Sequence, residues 1–221
     1  TLQEVRDLTF VFEQPLAGNV SGRNDLRTYP PAIQVLGNSV SGNTGYDPSH
    51  QATRCTISRV RVENGTVGVR LTRNFGGLRM EDCELGVYDC GVDQNDPERP
   101  ALDTVIFDNV RIWPYGIDMS TGSIFGQIYS DGNLVGFDLR RIDDLKMHNC
   151  IAFRGRFLFG DTQGQGAFGS ITNLALDGPK SRIEMSAGEL NITGLYGTSN
   201  IADDFFVRQT GGELTVTGYN F

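Results

Sequence analysis

The sequence predicts an all-β chain folded as a right-handed parallel β-helix, a solenoid with about 24 residues per coil. Three observations carry that expectation: a glycine-rich, turn-rich composition, an internal repeat near the C-terminus, and columns of like residues that appear when shorter segments are superposed. The chain has 221 residues, 38% of them hydrophobic, enough to bury a core in one domain. Its 28 glycines lie among short clusters of Val, Ile, Thr and Phe, the pattern of many brief strands separated by turns.

The repeat is clearest where Ile183-Glu-Met-Ser-Ala-Gly-Glu-Leu-Asn-Ile-Thr-Gly194 superposes without gaps on Val207-Arg-Gln-Thr-Gly-Gly-Glu-Leu-Thr-Val-Thr-Gly218, an offset of 24 residues. Within the two copies Leu190 and Ile192, like Leu214 and Val216, alternate with polar residues, as a strand with one buried face requires. Asn173-Leu-Ala-Leu-Asp-Gly178 has a similar ending.

A looser family comprises Ile57–Val62, Met80–Leu85, Phe107–Ile112 and Met147–Ala152, each expected to be a strand. Their starts lie 23, 27 and 40 residues apart, so an extra coil is expected in the last interval, near Leu134 to Ile142. A second short strand is expected after each, at Val67–Leu71, Gly86–Tyr88, Gly116–Met119 and Phe157–Phe159. Superposition puts Val60, Cys83, Val110 and Cys150 in an apolar column and Arg59, Asp82, Asn109 and Asn149 in its neighbour, where Asx residues at one turn can hydrogen-bond up the stack. At this period the chain makes roughly nine coils spaced by about 4.8 Å. The long polar insertions, 13–31, 36–52 and 93–101, are where function is expected to sit.

Charge and cysteine usage narrow the function classes. A net charge of −8 argues against general nucleic-acid or anionic-membrane binding. No apolar run is long enough for a membrane-spanning helix, and residues Thr1 to Asp7 lack the basic start and apolar middle of a signal peptide. The first residues run straight into the strand-like Leu8–Phe12, so the 1–221 domain is read as a piece of a longer protein. Cys55, Cys83, Cys90 and Cys150 have neither metal-site nor dense disulfide spacing and are expected as buried thiols. His50 and His148 form no metal motif, and neither metal nor cofactor is expected. Asn19-Val-Ser21, Asn64-Gly-Thr66 and Asn191-Ile-Thr193 match the glycosylation acceptor pattern, as chance triplets also do.

The repeating short strands, the Asx column and the Gly-rich connections over nearly the whole chain resemble the pectate-lyase-like β-helix superfamily, and most of all its bacteriophage tailspikes. The resemblance implies a phage or phage-like spike that recognises bacterial cell-surface polysaccharide, works as a homotrimer and sits on the virion surface or outside the cell. The pectinolytic signatures Asn-Thr-Asp, Gly-His-Gly and Arg-x-Pro-x-x-Arg are absent, and Asp143-Asp144 and Asp203-Asp204 lack a suitably placed His. A second reading is a polysaccharide depolymerase, hydrolase or lyase; a third, a bacterial secreted adhesin.

A depolymerase needs two carboxylates across the scissile bond. The candidates are Glu81, Glu84, Asp89, Asp93, Asp108 and Asp118, which share neighbouring coils and are equally placed to be solvated or to cap turns. Six arginines, Arg54, Arg59, Arg61, Arg70, Arg73 and Arg79, accompany a single acid, Glu63, between residues 54 and 79. Arg61 and Arg70 either grip acidic sugars or bridge to the acidic Glu81–Asp96 segment. Tyr88, Trp113 and Tyr115 either stack on sugar rings or, with Phe153, pack as core or subunit contacts.

Overall fold

A computed structural model describes residues 2–36, 54–72, 76–94, 102–161, 163–198 and 206–220. The insertions at 36–52 and 93–101 lie almost wholly outside the described residues, as do Arg73 and His50. The strands are β1 (Leu2–Val11), β2 (Ile33–Leu36), β3 (Arg54–Thr72), β4 (Leu78–Glu81), β5 (Glu84–Asp93), β6 (Leu102–Asp108), β7 (Arg111–Ile112) and β8 (Val135–Leu139). They continue with β9 (Ile142–His148), β10 (Ile151–Phe153), β11 (Arg156–Phe159), β12 (Ala167–Asp177), β13 (Arg182–Met185), β14 (Gly188–Thr198), β15 (Val207–Gln209) and β16 (Glu213–Asn220). One short helix, α1 (Ile124–Tyr129), precedes β8.

All described strand pairs are parallel, and none is a hairpin. One row of pairing runs β1-β3-β4-β6-β9-β12 and on through β14 to β16. The 24-residue repeat is seen directly at its end, where Leu190 pairs Leu214 and Ile192 pairs Val216. From β12 the pairing also passes through β10, β7 and β5 back to β3. In its hydrogen-bond connectivity the sheet is thus a closed eight-stranded parallel β-barrel of β3, β4, β6, β9, β12, β10, β7 and β5, with the other strands paired outside it. This corrects the expected right-handed β-helix solenoid. The closure arises because β3 and β12 run unbroken through bends at which their neighbours divide, so each pairs on both sides of the ring.

Two further expectations change. Three of the four members of the looser sequence family are not single strands: a residue with left-handed backbone divides them, Asp82 (φ 52°), Asn109 (φ 54°) and Asn149 (φ 52°). Asx side chains tolerate that conformation better than most, so the Asx column is the turn expected of it, and it divides the segments that were expected as strands. Only β3 continues past the equivalent Arg59 (φ 50°). The 40-residue interval holds no extra coil either, since β6 and β9 pair directly, Phe107 against Met147. The additional residues form the excursion containing α1, whose N-terminus Ser123 caps by accepting from the Gly126 amide. Gly116–Met119, expected as a strand, is irregular and begins with a turn at Gly116 (φ 72°).

Period-2 alternation turns apolar side chains inward, and equivalent positions of neighbouring strands line up. Across β3, β5, β8, β11 and β13 these are Val69, Val92, Phe137, Phe157 and Ile183, all fully buried and in register. Phe137 stacks on Phe157 at 5.0 Å and meets Phe107 edge-on at 5.3 Å. These contacts belong to one hydrophobic cluster that extends from Val20 to Leu195.

Candidate functional site

The Asx corners set one edge of the site. Asn109 Nδ2 donates to Asp82 Oδ1 at 2.7 Å, and Asn173 Nδ2 donates to Asn149 Oδ1 at 3.2 Å. Immediately inside them the apolar column of Val60, Cys83, Val110 and Cys150 is buried. All four cysteines are buried thiols, and burial pushes Cys150 up to about 12.

Beyond the corner the sheet runs outward-facing Arg61, Glu84, Arg111, Ile151 and Ala175 in register across β3, β5, β7, β10 and β12. The residues after β7 then cross over β5. Gly86 makes that crossing possible: a Cβ there would stand 2.2 Å from the Tyr115 carbonyl oxygen, so no larger residue fits under this backbone. The turn at Gly116 completes the crossing with a positive φ that glycine adopts without strain. Tyr115 is thereby held against the sheet, with the Arg61 guanidinium 4.6 Å above its ring. Burial, and then the nearby Glu84 carboxylate, raise the Tyr115 phenol above its ordinary value.

The result is an open groove of about 430 Å3 lined by Asn109, Asn149, Asn173, Arg111, Trp113 and Tyr115, with Ile151 and Ala175 also contributing. Trp113 is partly exposed in the groove and backed by Phe153, ring centroids 4.7 Å apart. Arg111 is exposed, and its Nε donates to Asn109 Oδ1 at 3.1 Å. Aromatic faces, amides and a guanidinium therefore converge in one surface groove. Such a set can stack on an apolar ring face and hydrogen-bond a rim of hydroxyls.

The other sequence candidates divide sharply. Glu84 accepts from Arg61 Nη1 at 3.1 Å, while Arg61 Nε reaches Glu63 at 2.6 Å. Arg70 pairs with Asp93 at 2.8 Å, and Arg79 with Glu81 at 2.9 Å. Arg61 and Arg70 thus bridge to the acidic segment beside them, the structural member of the two readings. Asp89 binds Arg23 at 2.6 Å. Asp118 accepts from the Ser120 amide at 2.9 Å, and hydrogen bonds from Ser120 and Ser123 hold its carboxyl below the ordinary value. Asp108 sits at the end of β6 between Glu81 and His148 in register.

Tyr88 is buried, 2% exposed, which removes it as a sugar platform; burial also raises its phenol. Trp113 and Tyr115 are the two aromatic candidates that share the groove. Arg111 was missed as a site residue, although superposing Phe107–Ile112 on Ile57–Val62 puts it in the column of Arg61. Asn173 was missed because its segment was aligned only by its ending. Among the described residues no three His, Cys, Asp or Glu side chains cluster as a metal site, and no helix is long and apolar enough to cross a membrane.

No family model matches the chain, and no match is found among curated proteins or solved structures.

Proposed function

We propose that the chain binds polysaccharide through the groove between the Asx corners and the Trp113–Tyr115 crossing. The observation that carries the reading is the convergence of two aromatic side chains, three Asn amides and Arg111 in a single open groove. Sugar rings stack by their C–H faces on Trp113 and Tyr115, while Asn109, Asn149 and Asn173 meet hydroxyls and Arg111 meets an acidic substituent. The likeness of the repeat pattern to phage spikes extends the proposal to bacterial cell-surface polysaccharide, engaged from a virion surface or another extracellular setting by a homotrimer.

Binding is favoured over cleavage by what holds the carboxylates. Glu81, Glu84 and Asp89 each have an arginine within 3.1 Å, and Asp118 is a turn cap with a lowered pKa, the opposite of what a general acid needs. A glycan array followed by calorimetry tests the reading. A bacterial polysaccharide is expected to bind, Trp113→Ala to weaken it at least about tenfold, and polymer viscosity to stay constant. Absence of glycan binding, or undiminished binding by a folded Trp113→Ala protein, overturns it.

A further inference from the structure

The row of side chains under the aromatic groove continues past it. Arg111, Ile151 and Ala175 stand in register on β7, β10 and β12, and the next residue in that register is Tyr196 of β14. Residues paired across a parallel ladder project from the same face, so Tyr196 rises from the same surface as Arg111, one strand beyond Ala175. It is a large side chain left 49% exposed, whereas Leu195 beside it in the strand is fully buried.

The surroundings of Tyr196 keep it separate from the Trp113–Phe153 pair. Ala175, immediately before it in the row, carries only a methyl group, so the row dips between Ile151 and Tyr196. On the corner side, Asn109, Asn149 and Asn173 are followed by Gly194 (φ 74°), which ends the amide ladder; a Cβ there would stand 2.8 Å from Asn173 Oδ1. On the other side, Phe153 is followed in register by Asp177 and Thr198, whose side chains hydrogen-bond each other. The aromatic wall therefore ends at Phe153, and Tyr196 is a second, isolated aromatic surface at the far end of the row.

Spacing gives that isolation a meaning. Neighbouring strands lie about 4.8 Å apart, so the three steps from Arg111 to Tyr196 cover about 14 Å. A sugar residue in an extended glycan advances by nearly one such step, so a chain laid across the strands meets about one row residue per sugar. Aromatic surfaces at the two ends, an apolar floor of Ile151 and Ala175 between them and amides along one side match a linear chain better than a single ring. Arg111 is the one charged member of the row, and Asp177 stands toward Tyr196, so an acidic sugar belongs at the Arg111 end and a neutral one over Tyr196.

We propose that the site takes a linear oligosaccharide lying across the strands from Arg111 to Tyr196, and that Tyr196 is a binding residue for its far end. This rests on the carbohydrate reading of the groove and extends it to the length and orientation of the chain.

Calorimetry with the dimer and the tetramer cut from the bacterial polysaccharide that the glycan array selects tests the proposal. The parent is expected to bind the tetramer more tightly than the dimer. Tyr196→Ala is expected to weaken the tetramer about fivefold to tenfold and to leave the dimer unchanged, while Tyr196→Phe, which keeps the ring, retains the tetramer. Tyr196→Thr, a residue well suited to a strand, repeats the test where alanine disturbs β14. Trp113→Ala is expected to weaken both lengths. Tetramer binding by a folded Tyr196→Ala or Tyr196→Thr protein that equals the parent's, or equal weakening of dimer and tetramer, overturns the proposal. Glycan binding that depends on Trp113 but not on Tyr196 overturns it alone and leaves the carbohydrate reading standing; an array without a bound glycan overturns both.

Discussion

Arg23 anchors the 13–31 insertion. It donates to both oxygens of Asp131 at 2.9 Å, to Asp89 at 2.6 Å and to the carbonyls of Tyr88 and Ile128 at 2.7 and 3.0 Å. Burial alone raises the Asp131 pKa, but hydrogen bonds from Arg23 and Asn133 outweigh it and leave the carboxyl below its ordinary 3.8. A lowered folded-state pKa contributes stability above the unfolded value that is lost as pH falls through the folded one. Acid unfolding of the parent is therefore expected to steepen below about pH 4, and Arg23→Met to remove that part of the pH dependence. Several charge-assisted bonds end at one side chain, so Arg23→Met is expected to cost about 2–3 kcal/mol in denaturant unfolding at neutral pH. Asp138 acts in the opposite sense: burial raises its pKa despite Arg140, so its contribution to stability falls as pH rises from the unfolded value through the folded one.

Gly86 decides whether the site exists at all. A methyl group there meets backbone, not a flexible side-chain end, so the 113–116 crossing must lift. Gly86→Ala is expected to cost about 1–3 kcal/mol and to abolish glycan binding, measured by denaturant unfolding and calorimetry on the same sample. The four thiols are expected to stay unreactive toward a disulfide reagent in native buffer and to react together on unfolding, because all are buried and desolvation disfavours their thiolates.

At the scale of elements, the sequence was legible wherever alternation and repeat spacing act alone. Leu190 and Ile192 fell opposite Leu214 and Val216 because both copies have equal length and no insertion. The corner column was legible as a turn at Asp82, Asn109 and Asn149 from its Asx identity, but the break it makes in each strand was not, because apolar periodicity continues across the bend. The extra coil expected near Leu134 to Ile142, where only β8 runs, followed from the length of the interval, which does not distinguish a further coil from the α1 detour. The groove was half visible. Trp113 and Tyr115 were named for their chemistry, whereas Arg111 and Asn173 needed the register of β7, β10 and β12 before their convergence could be seen.

Across the whole molecule, the stability of the stack rests on inward apolar columns more than on its many ion pairs. Exposed pairs such as Arg59–Asp7 and Lys146–Asp144 contribute little in water. Phe157 is fully buried, stacked on Phe137 of β8 and on Phe159 of its own strand, β11. Phe157→Ala is expected to cost about 3–5 kcal/mol in denaturant unfolding, several times the loss from Asp144→Ala. Closure of the pairing through β3 and β12 ties the sides of the sheet together, so that the aromatic groove stands on a rigid support.

Trp113 is the chain's one tryptophan, and it lies in the proposed carbohydrate groove. Its emission during titration with a bacterial oligosaccharide that the chain binds is therefore the most direct test of the central claim. A saturable change in intensity and wavelength, following the calorimetric isotherm and absent in Gly86→Ala, is the predicted result. Saturable glycan binding that leaves Trp113 emission unchanged would place the sugar elsewhere and contradict the account.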